Sequence, residues 1–206
     1  MIFLKRKETK NEKENHRADF GYRFCFSVMV FPSAKADSEG LFDYTVFKRE
    51  VTVTECSAEA SGRVVIPAEL GGFPVTTLEC LSFVGCNRIT EIVLPDCLKS
   101  VCDYAFSGCS ALSEIFLPEG LEFVGERAFS DCGTLASVTL SYSVSEIGAD
   151  AFDGCAENFT IRGYTGSEAE KYAIDNGFAF VSLGNIEDAH VWSEWKVSPL
   201  ATKRAL

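Results

Sequence analysis

The 206-residue chain is 47% hydrophobic and 24% charged, with a formal net charge of −11. Such a composition supplies one sizeable core and excludes disorder as the general state. Residues 1–23 hold seven Lys/Arg against four Asp/Glu, so the remainder carries twelve against twenty-six, or −14; this argues against nucleic acid and anionic membranes as partners, since both select clustered basic side chains.

In chain order, Lys5, Arg6, Lys7, Lys10, Lys13, Arg17 and Arg23 precede an apolar run from Phe24 to Phe31 and then Ala34-Lys35-Ala36, a small-x-small pattern. Residues 1–36 therefore read as a secretory signal peptide. The alternative reading is a disordered basic tail followed by an edge strand. No stretch approaches the ~18 consecutive apolar residues of a membrane span. Residues 37–74 read as an N-terminal cap with an irregular first repeat. Tyr44, Val46, Phe47, Val51 and Val53 predict a hairpin over 44–56, Val64-Val65-Ile66-Pro67 predicts a strand, and Gly71-Gly72-Phe73-Pro74 predicts a turn.

From residue 75 the chain repeats with a step of 23: Phe83, Phe106, Phe129, Phe152 and, three positions on, Cys86, Cys109, Cys132, Cys155. The same frame carries Val75, Leu98, Leu121, Val144, then Leu78, Val101, Val124, Ile147, and then Ile92, Ile115, Val138, Ile161. A fixed period dictates architecture. Within a unit, alternation around Ile115 and Leu117 predicts a short strand, whereas Val101, Ala105, Phe106 and Cys109 are spaced as in a helical turn or 3₁₀ segment. One strand and one compact return make one coil of an α/β solenoid. About five such units are expected, four of them complete over residues 75–166, with short strands on one face. A lone coil cannot bury its own Phe and Leu, so the coils must stack.

Residues 167–184 predict a C-terminal helix-strand cap: Ser167 opens a helix with acidic residues in its first turn, Gly177 ends it, and Phe178, Phe180, Val181 and Leu183 supply a strand. Asn158 stands in the column of the core residues Ile89, Leu112 and Leu135, where the repeat begins to decay. Residues 185–206 read as a linker or degenerate module.

The unit Val101-x-x-x-Ala105-Phe106-x-Gly108-Cys109-x-x-Leu112-x-x-Ile115-x-Leu117-Pro118 resembles the BspA-like leucine-rich repeats of bacterial surface proteins, over roughly residues 41–183. The segment from Gly163 to Ala173 looks like an ending of such repeats in secreted proteins. Residues 190–197, His190 to Val197, are similar to the opening of small Trp- and Cys-containing modules found downstream of such arrays, though no cysteine follows Cys155. The resemblance implies a right-handed leucine-rich-repeat coil on a bacterial cell surface or outside the cell, with a protein or glycan as ligand. Two rival readings are a structural spacer of a larger surface protein and an accessory domain of a secreted enzyme.

Nine cysteines could indicate a disulfide framework, but a Cys that recurs beside Phe in each coil is most simply a small buried apolar residue. Cys56, Cys80, Cys97 and Cys102 lie outside that column, and a bond between two of them stays open. The only histidines are His16 and His190, and no CxxC pair exists, so neither a metal site nor a nucleophile-base pair is expected. No cofactor and no catalytic residue is assigned, and a monomer is expected. The residues between the buried Ile and Leu columns point outward from the strand face: Val93, Phe116, Thr139 and Arg162, with Glu91, Glu114, Ser137 and Thr160 beside them. An aromatic among charged neighbours is a common interface anchor, which makes this face the candidate site. The alternative is an ordinary sheet face whose residues merely favour strands.

Overall fold

The computed structural model describes residues 41–186; the expected signal peptide at 1–36 and the expected module at 190–197 lie outside the described residues. The chain opens with an antiparallel hairpin of β1 (Phe42–Phe47) and β2 (Glu50–Cys56). Lys48 and Arg49 both take positive φ at its tip, 51° and 68°, the backbone that matches a two-residue hairpin to the twist of its strands. β3 (Gly62–Val65) and β4 (Glu69–Leu70) follow, and β4 pairs with β5 (Phe73–Leu78) around Gly71-Gly72. There the predicted turn is in place, with the Tyr44 ring packed against Gly71.

The coils then proceed through β6 (Ile89–Val93), β7 (Ser100–Val101), β8 (Glu114–Phe116), β9 (Phe123–Val124), β10 (Ser137–Thr139), β11 (Glu146–Ile147) and β12 (Thr160–Thr165). Helix α1 (Glu168–Asn176) and strand β13 (Ala179–Asn185) complete the described chain. The expected strand face consists of β3-β6-β8 and β10-β12-β13, all parallel. A second parallel ladder, β2-β5-β7-β9-β11, runs along another side of each coil. Its repeating members β7, β9 and β11 are two residues long, too short to show alternation in the sequence.

Between the ladders, the segments spaced like helical turns form turns that neighbouring coils hold in place. Phe83, Phe106 and Phe129 donate their N–H groups to the carbonyls of Ala105, Ala128 and Ala151 in the next coil, at 2.8, 2.7 and 2.8 Å. Intervening donors close locally, as in Ser107 N–H to Tyr104 O and Cys109 N–H to Phe106 O, both 3.1 Å. Half of the bonding capacity therefore goes to the neighbouring coil, which a continuous helix would not allow.

The core runs along the solenoid axis. Phe83, Phe106, Phe129 and Phe152 are fully buried, with ring centroids 4.8, 5.1 and 5.5 Å apart in succession. Phe42 closes the stack at the hairpin, and Phe159 with Tyr172 closes it at the C-terminal cap. Asn158 is exposed and Phe159 buried, so where the repeat decays the core position passes to the next residue. Ser167 is the N-cap of α1, yet its hydroxyl makes no capping bond and is buried without a hydrogen-bond partner. Glu170 instead accepts the Gly166 N–H at 2.8 Å. Gly177, at φ 73°, terminates the helix as its position predicts.

Candidate functional site

Parallel registration turns the 23-residue step into rows across the strand face. Val93 lies opposite Phe116, and Thr139 opposite Arg162. Glu91 lies opposite Glu114, and Ser137 opposite Thr160. The buried partners Ile92, Ile115, Val138 and Ile161 point the other way, as the two-residue period of a strand requires.

The rows extend further than the repeat frame indicates. Val65 pairs with Val93 and Arg63 with Glu91 on one side, and Val181 pairs with Arg162 on the other. Val65 and Val93 are 28 residues apart, not 23, so the fixed step conceals the relation. Together Val65, Val93 and Phe116 make an apolar stripe in which Phe116 is the most exposed, at 66%. It borders an open groove of roughly 740 Å³ whose walls include Arg63, Glu91, Val93, Asp96 and Glu119. Arg63 Nε reaches Glu91 Oε1 at 2.9 Å, a surface pair that orients the two side chains more than it stabilises the fold.

The eight candidate residues stand on two ladders, not one. β8 and β10 are adjacent, but the ladder is interrupted between them. Glu91, Val93, Glu114 and Phe116 stand on one side of this seam, and Ser137, Thr139, Thr160 and Arg162 on the other. Just before the seam the Thr134 hydroxyl donates across to carbonyl oxygens of Ser110 and Leu112, both at 2.9 Å. The arrangement is an apolar and acidic half beside a polar half that carries Arg162.

The cysteine column lies inside. Cys109, Cys132 and Cys155 each donate Sγ–H to the carbonyl of the phenylalanine of the preceding coil: Phe83, Phe106 and Phe129, at 3.1, 3.3 and 3.4 Å. Burial pushes the Cys132 and Cys155 thiols up to about 12 and that of Cys109 upward as well. As neutral thiols they fill space and satisfy a carbonyl, and they make poor nucleophiles. Among the described residues no group of three or more His, Cys, Asp or Glu could hold a metal ion, and no helix is long and apolar enough to cross a membrane.

A family model for the BspA type leucine rich repeat region matches residues 75–191 in six copies. A leucine-rich repeat protein from Bacteroides capillosus ATCC 29799 has a similar solved structure, with 26% identity and a TM-score of 0.53, covering 59% of this chain and 94% of that one. Another, from Bacteroides ovatus ATCC 8483, shows 26% identity and a TM-score of 0.50; the match covers 71% of this chain and 42% of that longer protein. No curated protein matches the chain.

Proposed function

Because this chain belongs to the BspA-type leucine-rich-repeat family, we propose that it is an extracellular, non-catalytic binding module of a bacterial cell surface. Its strand face recognises a protein or glycan, with Phe116 as the anchor. The observation that carries this reading is Phe116 itself, a phenylalanine two-thirds exposed on the strand face, at the last strand before the seam. It continues the apolar stripe of Val65 and Val93 and borders the groove. Large aromatic side chains ringed by polar groups are the usual source of affinity at such surfaces, because burying them against a partner removes apolar area at little entropic cost. Glu91, Glu114 and Arg162 supply charge for orientation, and Ser137, Thr139 and Thr160 supply hydroxyls for hydrogen bonds.

The test is binding of the purified chain, wild type beside Phe116→Ala/Arg162→Glu, to panels of glycans and extracellular proteins. Saturable binding that weakens at least about tenfold in the folded double variant is expected, corresponding to loss of an anchor. Binding unchanged by the substitutions would remove this face from consideration. No binding by either form would favour a spacer.

A further inference from the structure

We propose that Cys56–Cys86 and Cys80–Cys102 are two disulfide sites, the first tying the N-terminal hairpin to the first regular coil and the second tying that coil to the next. Seven of the eight cysteines among the described residues, all but Cys97, fall into two structural kinds. Cys109, Cys132 and Cys155 come from one column of successive coils; their side chains run parallel, and each thiol is satisfied by a backbone carbonyl. The other four meet in pairs. Cys56 and Cys86 lie close enough to shift each other's ionisation, and Cys80 acts likewise on Cys102; the Cys56 thiol itself donates to the neighbouring Ser57 carbonyl at 3.8 Å.

The backbone explains this convergence. Cys56 and Cys86 are 30 residues apart, and Cys80 and Cys102 are 22 apart, so neither pair keeps the step of 23 that makes side chains parallel. Cys56 N–H donates to Ser82 O at 2.7 Å, and both Cys56 and Cys86 line a small cavity of roughly 180 Å³. Leu78 pairs with Val101 across the ladder, and Cys102 N–H donates to Leu78 O at 3.0 Å, which sets Cys80 beside Cys102. The first pair sits where the hairpin joins the coils, and the second joins the first two regular coils. A solenoid frays from its ends, because an end coil has only one stacked neighbour.

Closure requires a two-electron acceptor, an external disulfide such as oxidised glutathione or the active disulfide of a thiol oxidase. Cys86, the less buried of the two, is the first nucleophile. Its thiolate attacks one external sulfur, a mixed disulfide forms, and one external thiolate leaves. Cys56 then gives its proton to solvent and attacks the Cys86 sulfur, forming the protein S–S bond and releasing the second external thiolate. Two protein thiols are oxidised and one external disulfide is reduced to two thiols. Cys80 and Cys102 react in the same way, with Cys80 first. Burial pushes the Cys56 and Cys102 thiols up to about 12, so closure occurs as the chain folds and proceeds slowly afterwards.

The experiment is refolding of the full chain in a glutathione redox buffer, alkylation of free thiols, and non-reducing peptide mapping. Digestion combines trypsin with chymotrypsin, because cleavage after Phe83 separates Cys80 from Cys86 and cleavage after Tyr104 separates Cys102 from Cys109. Two cross-links are expected, Cys56–Cys86 and Cys80–Cys102, with Cys25, Cys97, Cys109, Cys132 and Cys155 alkylated. The oxidised protein should unfold at a higher urea midpoint than the same protein in dithiothreitol, and Cys80→Ser/Cys86→Ser should erase that difference. Alkylation of all four paired cysteines, under conditions in which a control secreted protein closes its disulfides, overturns the proposal. Cross-links within the Cys109–Cys132–Cys155 column overturn it equally.

Discussion

The inner phenylalanine column and the outer strand face are built on the same 23-residue step, yet they obey different constraints. Inside, Phe83, Phe106, Phe129 and Phe152 repeat one residue type because each ring must fill the same space between the same neighbours. Outside, the corresponding row reads Val65, Val93, Phe116, Thr139, Arg162, Val181, and its ladder breaks between β8 and β10. Stacking dictates the first row and leaves the second free. A repeat protein can thus vary its surface row without disturbing the coil that presents it, and variation rather than repetition marks where specificity can reside.

If the inner row carries the fold, removing one ring from its centre should produce the largest effect. Phe106→Ala deletes a fully buried ring stacked between Phe83 and Phe129. The lost transfer energy and the residual cavity should cost about 3–5 kcal/mol. Urea unfolding at unchanged m-value would register this as a large fall in midpoint, and a loss below about 1 kcal/mol would show that the coils do not depend on the stack.

Backbone approach between coils comes next. A Cβ at Gly125 would lie 2.4 Å from the Asp103 nitrogen and 2.5 Å from the Cys102 carbonyl carbon, and one at Gly148 would meet Glu126 and Gly125 as closely. Main-chain atoms cannot turn aside as a side chain can. Gly125→Ala should therefore separate two coils and cost roughly 1–3 kcal/mol or more, read from the same unfolding curves. The matching position one coil earlier is Cys102, whose thiol instead meets Cys80 of the first regular coil.

What the sequence reveals follows the same division. The Phe, Cys, Leu and Ile columns, the β1–β2 hairpin, the Gly71-Gly72 turn and the extent of α1 are legible because repetition or turn chemistry records them. Leu81, Tyr104, Arg127 and Asp150 all take positive φ, between 54° and 65° except for 50° at Arg127, and of these only Asp150 is a residue type that favours it. Bonds to the next coil impose that conformation, as in Tyr104 N–H to Glu126 O at 2.9 Å. Of the thiol pairs, Cys80–Cys102 is among the bonds the sequence leaves open, whereas Cys86 stands in the repeat column and its approach to Cys56 is not legible there. Of the candidate face, the pairing of Val93 with Phe116 and of Thr139 with Arg162 was readable from the step. Arg63 and Val65 beyond them depend on the irregular register of β3, and the seam on the interrupted pairing of β8 and β10.

A smaller effect should come from the turn column. Gly85, Gly108 and Gly154 take positive φ there, and Asp131 occupies the same position at 57°. Its carboxylate oxygen stands 2.7 Å from where a Cβ on Gly154 would be, so the next coil has room beside it only for glycine. Asp131→Gly removes the left-handed penalty of a side chain but gives the unfolded chain more freedom, so a net gain of about 0.5 kcal/mol is expected. A measurable loss in urea midpoint would mean that Asp131 holds a stabilising interaction which outweighs its backbone conformation.

The smallest stability change is expected for the phenylalanine on the outer row, and it completes the contrast with the inner one. Phe116→Ala removes the same side chain as Phe106→Ala, ten residues away in sequence, from a position that is 66% exposed. With no cavity created and little apolar area returned to water, the unfolding free energy should change by no more than about 0.5 kcal/mol. Equilibrium unfolding of the two variants side by side measures the comparison directly. A cost for Phe116→Ala approaching that of Phe106→Ala would mean that the aromatic braces the seam between β8 and β10. A near-zero cost would leave the exposed ring without a structural reason, as expected of a residue retained for contact with a ligand.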